Sequence, residues 1–399
     1  SRDAAAGERR ALFDRYMPRI MQCRMEDLVL QTPMQEMPAL AERLGLRVLV
    51  KREDLQPVYS FKLRGAYAKL QSLSGDERRR GIVCASAGNH AQGVAMAARH
   101  LGIDTRVVMP AITPDIKINA VKKLGAEVII HGDDFDTACE RALKLAAEDD
   151  RVFVHPYDDP EVIVGQGTIA LEMFRQNRTP IDYLFVPIGG GGLAAGVALV
   201  SKYLHPDILL IGVEAEESAS MRAAFDHGGP VTLDEVGHFA EGVAVRRTGD
   251  LTYRICSQLL DHVITVDHDE ICAAVQDVYE DSRAVAEPAG VLAIAGMKRY
   301  FADRPELQGT AASILSGANV NFARLRSIAE RAAVGEEKEA LLGVTIPERP
   351  GSFLDFCETV GMRGITEFNY RIADRTEAHI FVGIALKHGD REKNEIIEE

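Results

Sequence analysis

Tyr183-Leu184-Phe185-Val186-Pro187-Ile188-Gly189-Gly190-Gly191-Gly192-Leu193 is the stretch that decides the fold. Four apolar residues run toward four consecutive glycines, and an apolar helical segment follows, so it reads as strand, loop and helix. Glycines let successive N–H groups converge on one point, and the dipole of the following helix favours an anion there. A phosphate is the natural ligand. The run has neither the G-x-G-x-x-G spacing with an acidic residue some way on nor the Lys-Ser/Thr of a P-loop, so neither nucleotide reading applies. A merely tight turn accounts for it poorly, because four glycines in a row cost chain entropy unless backbone must approach something closely.

Outward from this loop, strands alternate with helices. Strands at 81–85, 106–109, 127–130 and 152–154 enclose helices at about 89–100, 114–124 and 136–147. After residue 160 a helix leads to the strand at 183–186, the glycines and their helix, a strand at 209–213, and helices up to residue 330. Such alternation predicts parallel sheets covered on both faces, with right-handed crossovers. Nearer the start, Met34, Met37, Leu40, Ala41 and Leu44 recur at three and four and predict a helix over 34–44 that stops at Gly45. Residues 47–51 then read as a short strand. The fold class is therefore α/β, two open parallel-sheet lobes, the smaller at about 48–158 inserted in the larger. Past a charged bridge at 336–339 the order becomes strand 341–346, helix 351–360, a hairpin-like pair at 366–372 and 378–386, and a charged helix at 391–399. This α+β unit is a ferredoxin-like one without its last strand, and so incomplete. The domains expected are 1–333, a linker at 334–340, and 341–399.

Composition narrows the function. A chain of 399 residues is too long for one core, and 46% apolar with 27% charged residues suits a soluble globular enzyme. A formal charge of −14 argues against a nucleic-acid surface. The densest basic run, Arg78-Arg79-Arg80, follows Asp76-Glu77 and reads as a solvated helix end. The six cysteines include no C-x-x-C pair, so they suggest neither zinc nor a disulfide framework, and reduced thiols fit the cytoplasm. No apolar run is long enough for a membrane helix, and residues 1–10 lack the apolar core of a signal peptide. The eleven histidines are dispersed, which suggests no metal. His238, beside Phe239-Ala240-Glu241-Gly242, could border a site.

Three further stretches carry chemistry. In Ser60-Phe61-Lys62-Leu63-Arg64-Gly65-Ala66 a lysine stands at the start of a helix behind an aromatic ring. Partly desolvated, it would lose its proton more easily than an ordinary lysine and could attack a carbonyl; a solvated surface lysine is the plain alternative. Ser86-Ala87-Gly88-Asn89-His90 also follows a strand and opens a helix, so its N–H groups and the Ser86 hydroxyl could hold a carboxylate, while Asn89 offers an amide donor or an N-cap. Ser316-Gly317-Ala318-Asn319 follows the strand Ala312-Ser313-Ile314-Leu315 and makes another such loop. An imine-forming lysine, a phosphate cup and a carboxylate cup match pyridoxal 5'-phosphate acting on an amino acid.

These motifs, S-F-K-L-R-G-A, S-A-G-N-H-A-Q-G-V-A, G-G-G-G-L and S-G-A-N, resemble those of the fold-type II pyridoxal-phosphate enzymes, the tryptophan synthase β-like fold, and within it the biosynthetic threonine deaminases (threonine ammonia-lyases). Residues 341–348 with Gly351-Ser352-Phe353 resemble that family's ACT-like regulatory domain. The resemblance implies that Lys62 holds the cofactor and then acts as base at Cα, that Phe61 packs beside the ring, and that Asn89 bonds the ring 3'-hydroxyl. It places the phosphate on Gly189, Gly190, Gly191, Gly192 and Leu193, the pyridine nitrogen at Ser316, and the substrate carboxylate on Ser86, Ala87, Gly88, Asn89 and His90. Glu287, in Glu287-Pro288-Ala289-Gly290, falls in another active-site segment, as a functional group or a salt-bridged structural carboxylate. Glu214 ends a strand where some relatives bind a cation. A hydroxyl at 316 leaves the pyridine nitrogen largely neutral, which favours concerted loss of the Cβ hydroxyl. Related racemases carry a second serine where this chain has Ala87, so elimination with little racemisation is implied. The implied substrate is L-threonine, with L-serine also accepted, in the first step of isoleucine biosynthesis; the implied effectors are isoleucine and valine, and the implied assembly is a homotetramer. A serine dehydratase, a racemase or a threonine synthase would share the fold. A non-catalytic amino-acid sensor would not need the intact Lys62, Asn89 and Ser316.

Overall fold

Short apolar strands, each backed by helices, build most of the chain in the computed structural model, which describes residues 2–336, 338–372 and 376–398. In order come α1 (Arg2–Gln22), β1 (Met34–Glu36), α2 (Pro38–Leu44), β2 (Arg47–Arg52), α3 (Lys62–Ser72), α4 (Gly75–Arg80), β3 (Ile82–Ala85), α5 (Asn89–Leu101), β4 (Thr105–Met109), α6 (Asp115–Lys123), β5 (Glu127–Ile130), α7 (Phe135–Glu148) and β6 (Val152–Phe153). There follow α8 (Pro160–Gln176), β7 (Tyr183–Pro187), α9 (Gly192–Leu204), β8 (Leu209–Ala215), α10 (Ser220–His227), α11 (Asp250–Leu259), β9 (His262–Val266), α12 (His268–Ser282), α13 (Leu292–Ala302) and β10 (Thr310–Leu315).

Among the described residues these strands form two sheets, a four-stranded one in the order β5-β4-β3-β6 and a six-stranded one in the order β1-β2-β10-β7-β8-β9. The smaller is parallel throughout, and the larger is parallel except for β1. Parallel strands need both faces covered, and β3 and β10 are buried along their whole length. Helices α3 and α5 cover one face of the smaller sheet, packing Leu63, Tyr67 and Val94 on Cys84 and Val107. Helix α7 covers the other with Ala138 and Ala142 on Val83 and Val108. In the larger lobe α1, α8 and α9 bury Tyr16, Ile20, Ile163 and Val197 against Leu184 and Ala312. Strands β2, β10 and β7 lie side by side, and their carboxyl ends lead to Lys62, Ser316 and Gly189. That edge of a parallel sheet is where α/β folds bind ligands.

Three expectations need correction. The stripe at 34–44 is not one helix: Met34–Glu36 pairs antiparallel with β2, and the helix starts at Pro38. Proline pushes the residue before it into extended backbone and suits the first helical position, and this overrides the three-four spacing. The strand at 47–52 belongs to the larger sheet, between β1 and β10, so the smaller sheet begins at Ile82 rather than near residue 48. Order along the chain does not reveal which strand a parallel strand pairs with. The strand β9 was not anticipated at all.

The described residues divide into two compact units, residues up to 267 with 277–320, and 268–276 with 321–399. The second unit holds α14 (Leu325–Gly335), β11 (Glu339–Pro347), α15 (Ser352–Val360), β12 (Ile365–Ile372), β13 (Glu377–Ala385) and α16 (Gly389–Glu398). The compact units divide after Val320, ahead of α14, which runs on to Gly335 and seats that glycine against the Asp269 backbone. Of the linker expected at 334–340, residues 336–338 separate helix from strand, and Glu337 lies outside the described residues. The order β-α-β-β-α is as the sequence suggests. Its antiparallel sheet, β11-β13-β12, buries Ala340, Ile346, Ile380, Val382 and Ile384 with Phe356, Val360 and Ile396.

Candidate active site

Lys62 opens α3 and is fixed from several sides. The Ser60 hydroxyl accepts its backbone N–H at 3.2 Å, Phe61 N–H donates to the Ser316 carbonyl at 3.1 Å, and Ser60 bridges Gly317. Its Nζ donates to the Pro156 carbonyl at 3.1 Å and stands 5.4 Å from the Phe61 ring centroid. Burial pushes the amine down to about 8, with Glu287 pulling the other way. This is the partly desolvated lysine the sequence suggested, half-buried rather than solvated. Two residues on, Arg64 is wholly buried, and its guanidinium forks onto Glu53 at 2.7 and 2.8 Å and onto Glu172 at 2.7 and 2.8 Å. Lys51, equally buried, shares Glu172 at 2.7 Å. Two cations thus meet two carboxylates beneath the first turn of α3, tying it to α8 and to the Glu53–Leu55 turn.

Each glycine of the cradle has a neighbour. A Cβ on Gly190 would lie 2.2 Å from the Tyr157 ring, one on Gly192 3.1 Å from Tyr157 backbone, and one on Gly189 3.0 Å from Val243. Gly191, the N-cap of α9, has φ +97°, open to glycine at little cost. Leu193 is buried in the core, so only its backbone faces the loop. The Thr252 hydroxyl donates to the Gly190 carbonyl at 2.6 Å, and the Asp158 carboxylate accepts the N–H groups of Asp250, Leu251 and Thr252 at 3.0–3.1 Å.

On the remaining side, Asn89 Nδ2 donates to Glu287 Oε1 at 2.7 Å, and Asn89 Oδ1 accepts from Asn319 Nδ2 at 2.7 Å. Asn89 is therefore not the N-cap; Gly88 takes that position and the amide is free to face the site. Burial raises the Glu287 carboxyl to about 7, although its bond from Asn89 and the charges of Lys117 and Lys62 work against this. His90 is buried, with Nε2 on the Val154 carbonyl at 3.0 Å, and is held neutral, down to about 3. The Ser86 hydroxyl accepts Gly88 N–H at 3.1 Å, which shapes the loop Ser86-Ala87-Gly88. The Ser316 hydroxyl is buried and leans on the Ala289 carbonyl at 3.4 Å. Lys117 of α6 pairs with Glu241, and Asp136 of α7 with Arg246 at 2.9 Å, so two outer ion pairs tie the smaller lobe to the segment that carries Gly242 and Val243.

Sequence reasoning missed Tyr157, Asp158, Thr252 and the role of Asn319. The run His155-Pro156-Tyr157-Asp158-Asp159-Pro160, two prolines around an N-cap aspartate just after a strand, was the available signal. Glu214 accepts the N–H groups of Met221 and Arg222 at 2.7 and 2.8 Å, and burial raises its carboxyl to about 8. Among the described residues no group of three His, Cys, Asp or Glu side chains could hold a metal. His238 is exposed.

Residues 25–317 match the family model for pyridoxal-phosphate dependent enzymes, and residues 330–399 match that for the C-terminal regulatory domain of threonine dehydratase. The biosynthetic L-threonine dehydratase of Pasteurella multocida is 52% identical over 96% of this chain and 74% of its own length. The chain belongs to the biosynthetic threonine dehydratase family. Among solved structures, the processed form of threonine deaminase isoform 2 from Solanum lycopersicum superimposes with a TM-score of 0.78 at 42% identity, over 80% of this chain and 93% of that one. Maize serine racemase follows at 0.74 and 30% identity, over 78% and 95%. The dehydratase family uses pyridoxal phosphate, and the residues present fit it. A glycine cradle that a Cβ would fill stands at the N-terminus of α9, and Pro156-Tyr157 joins it to the Lys62 amine.

Proposed function

We propose that this chain binds pyridoxal 5'-phosphate at Lys62 and converts L-threonine to 2-oxobutanoate and ammonia, the first step of isoleucine biosynthesis. The observation that carries the reading is the desolvated Lys62 amine joined through Pro156 and Tyr157 to the glycine cradle. When bound, the cofactor supplies a carbonyl for the substrate nitrogen and an electron-withdrawing ring that acidifies the Cα–H bond. The N–H groups of Gly189 to Leu193 would hold its phosphate, Phe61 would flank its ring, Asn89 would donate to the ring 3'-oxygen and the Ser316 hydroxyl would meet the ring nitrogen. The loop Ser86 to His90, at the start of α5, holds the substrate carboxylate.

Lys62 then takes the Cα proton. An amine near 8 is partly unprotonated at neutral pH, as a general base must be. The Cβ–O bond breaks, the hydroxyl departs with one proton as water, and the released enamine takes water back and loses ammonia. Threonine thus becomes an oxoacid plus ammonia with atoms balanced. Ala87 has no hydroxyl to return a proton on the opposite face, which supports elimination over racemisation. L-serine lacks one methyl group, worth roughly 10–200-fold in kcat/KM, and is turned over more slowly.

The holoenzyme should be yellow, borohydride should fix the cofactor on Lys62, and threonine should yield oxoacid. Lys62→Ala should lose at least about a thousandfold in rate, on the scale of removing a nucleophile that is also the general base. Wild-type turnover by that variant would overturn the mechanism. For the C-terminal unit we assign isoleucine as inhibitor and valine as its opponent, acting on a homotetramer; its match to a regulatory domain supports a regulatory role for that unit.

A further inference from the structure

We propose that Asn319 is a positioning residue that orients the Asn89 amide, so that an N–H rather than the carbonyl faces the cofactor ring oxygen. The inference rests on the assignment of Asn89 to that oxygen. Asn319 Nδ2 donates to the Val58 carbonyl at 2.8 Å and to Asn89 Oδ1 at 2.7 Å. A backbone carbonyl can only accept, so the nitrogen of Asn319 must be the atom that faces Val58. Its second hydrogen then meets Asn89, which must present oxygen on that side. The nitrogen of Asn89 is thereby turned to Glu287 Oε1 at 2.7 Å, and its second hydrogen is left for the ring oxygen. Turning either amide over would set oxygen against oxygen or N–H against N–H. One main-chain carbonyl therefore dictates the sense of the whole relay.

Both ends of the relay are rigid. Tyr59 adopts φ +57°, rare for a side chain of its size, and its carbonyl accepts Ala318 N–H at 2.9 Å, next to the Val58 carbonyl that takes Asn319. That unusual backbone presents two successive carbonyls to the 318–319 loop. At the other end a Cβ on Gly317 would lie 2.0 Å from Glu287 Oε1, and Glu287 N–H donates to the Gly317 carbonyl at 3.3 Å. The charged groups around the relay are Glu287 itself, Lys62 from α3, Lys117 from α6 and Glu241, while His90, next to Asn89 on α5, stays neutral.

The test reads the pH midpoint of the visible absorbance band of the holoenzyme without substrate, together with apoenzyme melting. A donor to the ring oxygen favours its anionic form, so losing the donor moves the midpoint upward. Asn89→Ala sets the reference shift. Asn319→Leu, close in size and without donors, should raise the midpoint by about one unit, a tenfold change in the proton equilibrium. Asn319→Ser keeps one donor and should shift it by less. Should the leucine variant fail to fold, the serine variant alone must still move the midpoint. If Asn89→Ala moves the midpoint and neither Asn319 variant does, with melting alone reduced, Asn319 is structural and the inference is wrong. If Asn89→Ala leaves it unmoved as well, the assignment of Asn89 fails and takes this inference with it, while threonine turnover still tests the reaction itself.

Discussion

Glu287 holds a proton in the folded protein that the unfolded chain releases at much lower pH. Its folded value is about 7, against about 4.3 for an unperturbed glutamate. Between the two, the native state binds a proton that the unfolded state has lost, so this group makes stability fall as pH rises through that window. Glu287→Gln can still accept from Asn89 but does not titrate. Urea midpoints of the apoenzyme at pH 5 and pH 7.5 should show the wild type losing more stability than the variant, on the order of 3 kcal/mol. Equal losses would show that the carboxyl is ionised throughout. At this scale Lys62 was legible only together with the glycine run at 189–192 and the loop at 86–90, which turn a lysine at a helix start from a plain surface cation into a group beside two anion cradles. Tyr157, Asp158 and Asn319 were not, since the groups that give them their roles lie 33 to 261 positions away and only folding brings them near.

The cradle is an element whose shape is imposed by its neighbour. Gly190 faces the Tyr157 ring so closely that Gly190→Ala must displace the ring or the loop. Overpacking of this kind costs about 1–3 kcal/mol. The variant should bind pyridoxal phosphate at least about tenfold more weakly in a spectral titration while the apoenzyme stays folded; unchanged affinity would mean that Tyr157 yields freely. The entropy cost of consecutive glycines made the loop visible in sequence. Period-two and period-3.6 patterns likewise exposed β3, β4, β7 and β10 with their helices. The same patterns failed at residues 34–44, where Pro38 divides a helical-looking stripe; at β2 they found the strand but not the sheet it joins, nor the charge cluster that buries Lys51 and Arg52.

Taken whole, the chain carries residues that match a pyridoxal-phosphate enzyme and residues that match a regulatory domain, and α14 packs with the second compact unit although the charge run at 336–339 lies beyond it. If that unit senses isoleucine, threonine saturation curves should shift with an apparent coupling of about 1–3 kcal/mol, a change of roughly 5–150-fold in threonine affinity, and valine should reverse it. Curves that isoleucine leaves untouched would remove the regulatory role from this chain.

The two kinds of ion pair described above respond differently to dissolved electrolyte. Lys117–Glu241 and Asp136–Arg246 sit in contact with water, where raising ionic strength from about 0.1 to 1 M shortens the screening length from about 10 to 3 Å. The Arg64 cluster is closed off from mobile ions. Added sodium chloride should therefore slacken the hold of the smaller lobe on the segment that carries Gly242 and Val243 and raise KM for threonine, while the melting temperature barely moves.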